Sequence, residues 1–361
     1  MLFVKKLCSF TIVAILCFTT CFFNIPVYAE IENDNSYSNL IDDYAYETAS
    51  KYTCVKCTGV EGDLTISNRI SEYYCNNYIS NRYVYFVLND GNIIAMLTVE
   101  KLENGYASSF RLVDFDELNY CYRNNIPICL LISDKNVFLC TDHSITLLIG
   151  SNLDEKNSLD NDYCYVRKFN KDVITDTSKV LQNEINRSVI LDMHLCVNHV
   201  SNYGSNCWAA TVAQNVNYMN GTYYTAYDIV NIYNNNPGTT TLGTIDGIIR
   251  AYSNCGVYVV SISSSITYSQ VYGLLSNYRP LHIRINGIDS SGVYSNHGVT
   301  VDGITVVNYP YLFAVYDVVD PNSGCENFMI DYSSSYNNNY INYTPAWGGV
   351  YNFWINTIYK P

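Results

Sequence analysis

Residues 204–210 read GSNCWAA, and the fold turns on what that cysteine is. Cys207 can be a buried half-cystine, a metal ligand, or a nucleophile at the head of a helix. From Cys207 to Met219 the apolar residues fall at Trp208, Val212, Val216 and Met219, a helical stripe closed by Asn220-Gly221. Ser205 or Asn206 stands where an N-cap belongs. A cysteine there sits in the positive end of the helix dipole, which favours thiolate over thiol.

Working outward, short helices follow in "TAYDIVNIY", "LGTIDGIIRAYSNCG" and "TYSQVYGLLSNYRP", and then strands in "PLHIRI", "HGVTVDGI", "LFAVYDVVD", "ENFMIDY" and "VYNFWINTIY". Helices first and strands second predict an α+β unit with an antiparallel sheet over residues 191–361. Upstream, "RYVYFVLNDGNIIAMLTVEKL" is two apolar runs around Asn89-Asp90-Gly91-Asn92, a hairpin signal. "IPICLLISDKNVFLCTD" repeats the design around Asp134-Lys135-Asn136. These predict a mostly β domain from about residue 52 to 150, after an acidic, polar stretch at 30–50 with little to bury. Residues 150–190 read as the seam, loop-like at first. There "VITDTSKVLQNEINRSVILDM" is a helix or extended linker entering the second domain.

The N-terminus has Lys5 and Lys6 ahead of "LCSFTIVAILCFTTCFF", with Val27 and Ala29 at the end of "VYA". This predicts a signal peptide over 1–29, cleaved after Ala29, and an exported protein, extracellular or held at the cell surface. The rival reading of the same run is an uncleaved anchor. Of 14 cysteines, Cys8, Cys17 and Cys21 leave with the signal, and the odd number remaining implies at least one thiol outside any disulfide. Cys54-Val55-Lys56-Cys57 is one C-x-x-C without a second pair, so disulfides are expected there in preference to a metal. No metal or organic cofactor is called for.

The chain of 361 residues is 48% hydrophobic and 15% charged, which describes a globular protein. Its net charge of −13 argues against nucleic acid or anionic membranes as partners, because phosphate binding relies on clustered Lys and Arg. The 36 tyrosines supply polar surface in place of charge.

Beyond Cys207, His297 opens the strand "HGVTVDGI" beside Gly298, and Asp320 ends "LFAVYDVVD". A thiolate–imidazolium pair needs a third group to fix the imidazole, and a carboxylate or amide at the end of an adjacent strand can do that. Each residue has a plainer reading: half-cystine for Cys207, core histidine for His297, turn former for Asp320, with Asn322 as an alternative orienting residue. His194, His199 and His282 show no partner pattern, although His199 lies eight positions before Cys207, where it could line a cleft.

Taken in order, "NCWAATVAQNVNYM", "NHGVTVDGI" and "YDVVDPNSG" resemble the catalytic segments of papain-like cysteine peptidases. The bacterial streptopain-like and bacteriocin-leader-peptidase-like branches are the most similar, and the end "WGGVYNFW" is similar too. The resemblance covers about residues 190–361. It implies a papain-like catalytic domain, with Cys207 as nucleophile, His297 as general base and acid, and Asp320 as orienting residue. It also implies a protein or peptide substrate and a precursor whose mostly β pro-domain, residues 30–190, obstructs the cleft until it is cut near 186–195. The rival for that region is a permanent binding module. One departure stands out: the family places a glutamine six residues before the nucleophile as oxyanion donor, and here Ser201 holds that position with Asn202 next. An acyl transferase of transglutaminase type on the same three residues, or a non-catalytic surface-binding domain, are the competing functions.

Overall fold

A tight mirror-image turn shows how local sequence builds this fold. In the computed structural model Asp90 and Gly91 both take positive φ, 47° and 76°. That is the twist a two-residue hairpin requires. It joins β3 (Ile79–Asn89) to β4 (Asn92–Leu102), with Asn89 opposite Asn92. The structure describes residues 35–57, 60–74, 79–103, 105–113, 115–133, 136–149, 169–181, 189–308, 312–332 and 340–361. The signal segment, Cys75, Cys164, the Asp134-Lys135 pair and most of the predicted 150–190 seam lie outside these residues.

The chain divides into two compact units, Met1–Leu40 and Ile41–Pro361. Residues 35–40, the described part of the first, begin helix α1 (Asn35–Lys56). The second unit carries the strands. β1 (Leu64–Ser67), β2 (Ile70–Tyr74), β3, β4 and β5 (Gly105–Leu112) precede α2 (Asp116–Arg123). Next come β6 (Cys129–Ser133), β7 (Asn136–Cys140), β8 (Ile145–Ile149), β9 (Asp176–Val180) and β10 (Val189–His194). Helices α3 (Cys207–Asn220), α4 (Ala226–Asn235) and α5 (Ile245–Asn254) come before β11 (Val260–Ile262) and α6 (Tyr268–Leu275). The chain ends in β12 (Leu281–Ile288), β13 (Tyr294–Asn308), β14 (Leu312–Asp320), β15 (Gly324–Asp331), β16 (Tyr340–Tyr343) and β17 (Val350–Tyr359).

Among the described residues seven strands close a barrel and ten lie outside it. Four ladders join consecutive C-terminal strands antiparallel: β12 to β13, β13 to β14, β14 to β15 and β16 to β17. β17 returns to β12, with Ile285 opposite Trp354. β5 closes the ring, pairing through Phe110 with Asn327 of β15 and through Ser108 with Tyr343 of β16.

This corrects the α+β expectation. The described residues are mostly β, 44% strand against 25% helix, and do not have the papain-like α+β arrangement behind a separate pro-domain sheet. The physical reason is the pairing of β5: a strand from the first half completes the sheet of the second, so both halves share one hydrogen-bonded system. β10, at the expected seam, adds to β13 from Val189 to His194.

The cores follow the same sharing. Ala45, Ala49, Tyr52, Val87 and Phe110 form one cluster with Val307, Phe313 and Val315. Tyr52 stacks on Phe110 with ring centroids 5.0 Å apart. Residues 41–50 therefore bury a face after all: Ile41, Ala45 and Ala49 repeat at the four-residue spacing of one helix side. Against α3, a second cluster packs Trp208, Val212 and Val216 with Ile229, Tyr233 and Ile248. Burying each of those valines contributes about 1.5–3 kcal/mol. Thr225 with Asp228 and Thr267 with Gln270 form capping boxes that start α4 and α6. Gly221, with φ 64°, ends α3 in the left-handed conformation. No disulfide joins any two described cysteines; Cys129 and Cys140 face each other across β6 and β7.

Candidate active site

Cys207 is the first residue of α3 and is half-buried. Asn206 is at the N-cap, as the sequence suggests, but its side chain does not cap the backbone; its Oδ1 accepts from the indole Nε1 of Trp208 at 3.2 Å. Inside the helix, Gln214 Oε1 accepts from Thr300 Oγ1 of β13 at 2.7 Å, and its Nε2 donates to the Val200 carbonyl at 3.3 Å. The buried bond to Thr300 fastens the helix to the barrel wall. Gly298 lets the two come close. A Cβ there would stand 3.2 Å from His282 Nε2, 3.3 Å from Thr211 Oγ1 and 3.5 Å from Trp208 Cα.

His297 precedes that glycine on β13 and is 4% exposed, while Asp320 at the end of β14 is fully buried. Nε2 of His297 meets Asp320 Oδ2 at 3.0 Å. The Cys207 side chain interacts with the same imidazole, whose Nδ1 is the nitrogen not engaged by Asp320. The structure thus brings Cys207, His297 and Asp320 together. Burial disfavours the imidazolium. The charge and hydrogen bond of Asp320, joined by those of Cys207, outweigh it and push His297 up to about 10. Burial likewise opposes the Asp320 carboxylate, but His297, the Asn322 backbone and Trp347 hold it below the usual carboxylate range.

Four groups around the site were not singled out by the sequence. Trp347 Nε1 donates to Asp320 Oδ2 at 3.1 Å, and the Tyr343 hydroxyl oxygen stands 3.3 Å from the same oxygen while its proton goes to Glu326 Oε2 at 2.8 Å. The Trp347 ring stands edge-on to His297 with centroids 5.2 Å apart, and Tyr351 lies 5.6 Å away. Gln214 is the fourth, by its bolt to Thr300. The "WGGVYNFW" segment was the one signal for Trp347 and Tyr351, and nothing local marks the bonds they make.

Asn322 does not touch His297. Its backbone N–H donates to Asp320 Oδ1 at 2.7 Å, and its side-chain Oδ1 accepts from Asn202 Nδ2 at 3.1 Å. Asn202 is therefore turned toward the 320–323 turn, tied also by its backbone N–H to the Pro321 carbonyl at 2.9 Å. Ser201 is exposed and, with His199, Asn322 and Ser323, lines a cavity of about 390 Å³. His199 Nε2 lies 3.3 Å from the Pro321 carbonyl. His282 is buried behind the site, with burial, Arg284 and His297 together lowering it to about 3, so it stays neutral. His194 bonds to Asp317 and Asp192.

Among the described residues no cluster of three or more His, Cys, Asp or Glu side chains could hold a metal ion. No helix among them is long and apolar enough to cross a membrane. No protein-family model matches the chain, and no curated protein matches it.

Proposed function

We propose that the protein is an exported cysteine endopeptidase made as a precursor. The observation that carries this reading is the buried His297–Asp320 contact of 3.0 Å with Cys207 on the same imidazole. The resemblance of the three segments around those residues to cysteine-peptidase segments supports the chemistry, independently of the fold.

Cys207, as thiolate, attacks the scissile carbonyl carbon. The carbonyl oxygen takes the charge, next to the first-turn N–H groups of α3, among them that of Cys207. As the intermediate collapses, His297 gives its proton to the leaving amine, and the acyl group stays on the sulfur. His297, now neutral, takes a proton from water, whose oxygen attacks the thioester; release of the acid restores the thiolate–imidazolium pair. Asp320 holds the ring in place throughout and stabilises its charged form. Asn202 is the side-chain amide available near the loop that leads to Cys207, and one of its N–H bonds is already committed to Asn322.

The test is intact mass over time on purified 30–361 in mild reductant, beside Cys207→Ser, together with turnover of a quenched protein substrate. Cutting within 186–195 and substrate turnover by the parent, both absent in the variant, support the reading. A parent that stays whole and cuts nothing overturns it; transfer of the acyl group to a labelled amine would assign the site to a transferase.

A further inference from the structure

We propose that the first half of this unit, residues 41–181, is a permanent part of the active site, and that Arg82 is the positioning residue through which it acts on Asp320 and His297. The assignment of Arg82 rests on the peptidase reading; the permanence of the first half does not.

Arg82 lies on β3 and is fully buried. Its guanidinium pairs with Glu72 of β2, and Nη1 stands 3.5 Å from Glu100 of β4. The remaining donors cross to the second half of the chain. Nη1 bonds to Thr344 Oγ1, and Nη2 bonds to the carbonyls of Pro345 and, at 3.1 Å, Ala346. The next residue is Trp347, whose indole is on Asp320. The same short segment is gripped from the other side by Glu326: it accepts from the Ala346 N–H at 3.1 Å and from the Tyr343 hydroxyl at 2.8 Å. A guanidinium offers its donors in a fixed planar fork, which suits several acceptors held in one geometry. Arg82 thus sets where residues 344–346 lie, and that sets where Trp347 meets the carboxylate.

The second half cannot release the first without exposing what this arrangement buries. Separation would strip β5 from both β15 and β16 and open the barrel. It would also split the core shared by Tyr52 and Phe110 with Val307, Phe313 and Val315. The Lys56–Asp317 ion pair would break. Glu72 and Glu100 would keep Arg82, but the carbonyls of Pro345 and Ala346 would be left without their donor. A propeptide that leaves on activation needs a surface its partner can do without, and here β5 of the first half is one strand of the barrel wall itself. A cut in the seam therefore yields two chains that stay together.

The experiment introduces a specific-protease site between Leu181 and Val189 of the 30–361 protein, cuts it, and follows the fragments by size exclusion and native mass spectrometry. The expected result is co-elution of both fragments, with separation only in denaturant. Release of a folded, soluble 189–361 fragment would overturn the permanence of the first half, whether or not that fragment cuts peptides. Co-elution with no turnover before or after cutting would leave permanence standing and count against the peptidase reading alone.

Arg82→Lys tests positioning, with Thr344→Val as the milder variant. The expected outcome is a fall in kcat of about tenfold to a hundredfold, from a small misplacement of reacting groups, with KM little changed. The alkaline limb of Cys207 alkylation should also move to lower pH. Variants that keep the parent's kcat and alkylation profile would show that Arg82 does not position the site. A loss of thermal stability alone, with both readouts unmoved, would do the same.

Discussion

Trp347 and His297 donate to the same carboxylate oxygen, Asp320 Oδ2, at 3.1 and 3.0 Å. One donor comes from the loop before β17 and the other from β13, so the carboxylate is fixed by two elements that approach it separately. Its second oxygen takes the Asn322 N–H. A carboxylate so saturated cannot swing away, and the imidazole it holds inherits that stiffness.

Asp320→Asn keeps the shape and removes the charge. The imidazolium loses its largest support, so the alkaline limb of Cys207 alkylation should fall well below the parent's. The sign for stability follows from the same contact. His297 is raised from its ordinary value to about 10, so its contribution is fully present below pH 6.5 and is lost as pH rises through about 10. Melting temperatures measured from pH 6 to 10 should decline in the parent and stay flatter in Asp320→Asn.

Trp347→Phe retains an aromatic ring against His297 but deletes the indole donor. A buried charged acceptor losing one bond costs about 1–3 kcal/mol, which urea unfolding would read as a lower midpoint with unchanged slope. Turnover should drop with it, because Asp320 loses one of its restraints.

Gly298→Ala places a methyl 3.2 Å from His282 Nε2 and 3.3 Å from Thr211 Oγ1, both too close for comfort. Overpacking of this kind costs about 1–3 kcal/mol. The outcome to look for is slower Cys207 alkylation, since the helix head must move off the strand. Thr211→Ala in the same chain should recover part of the rate by making room.

Cys207→Ser should leave the fold intact, as the side chain is half-buried at a helix end. Thiol labelling at that position disappears, and peptide hydrolysis should fall by about 10⁴-fold or more, the scale of losing a nucleophile. Equal hydrolysis by parent and variant would remove Cys207 from the chemistry.

Much of the second half could be read directly. "LFAVYDVVD" and "VYNFWINTIY" coincide with β14 and β17, and the helix predicted from Cys207 begins there. Local signals suffice in such places: long apolar runs, a turn before and after, a glycine in the left-handed region. The closure of the barrel left no such mark. Phe110 meets Asn327 across a stretch of chain that no period or spacing can bridge, and each partner alone looks like an ordinary strand residue. Arg82 went unmarked for a similar reason: nothing local to an arginine at the head of an apolar run announces the acceptors that the tertiary fold gathers around it. The helix face at Ile41, Ala45 and Ala49 hid behind acidic neighbours, because alanine carries little hydrophobic signal yet packs closely. Of the site, Cys207, His297 and Asp320 were legible by type and order, whereas the groups that fix Asp320 depend on where separate loops come to rest.

The pairing of β5 with β15 and β16 also dictates an order of events in time. The strand is synthesised long before its partners, and it must wait, with its neighbours β3 and β4, until residues 324–343 have emerged to meet it. Contacts between such distant positions form late, because the intervening chain must first be gathered in. Asp320, Tyr343 and Trp347 come together around that last junction. The helix that begins at Cys207 can therefore form while the contact between His297 and Asp320 is still unassembled.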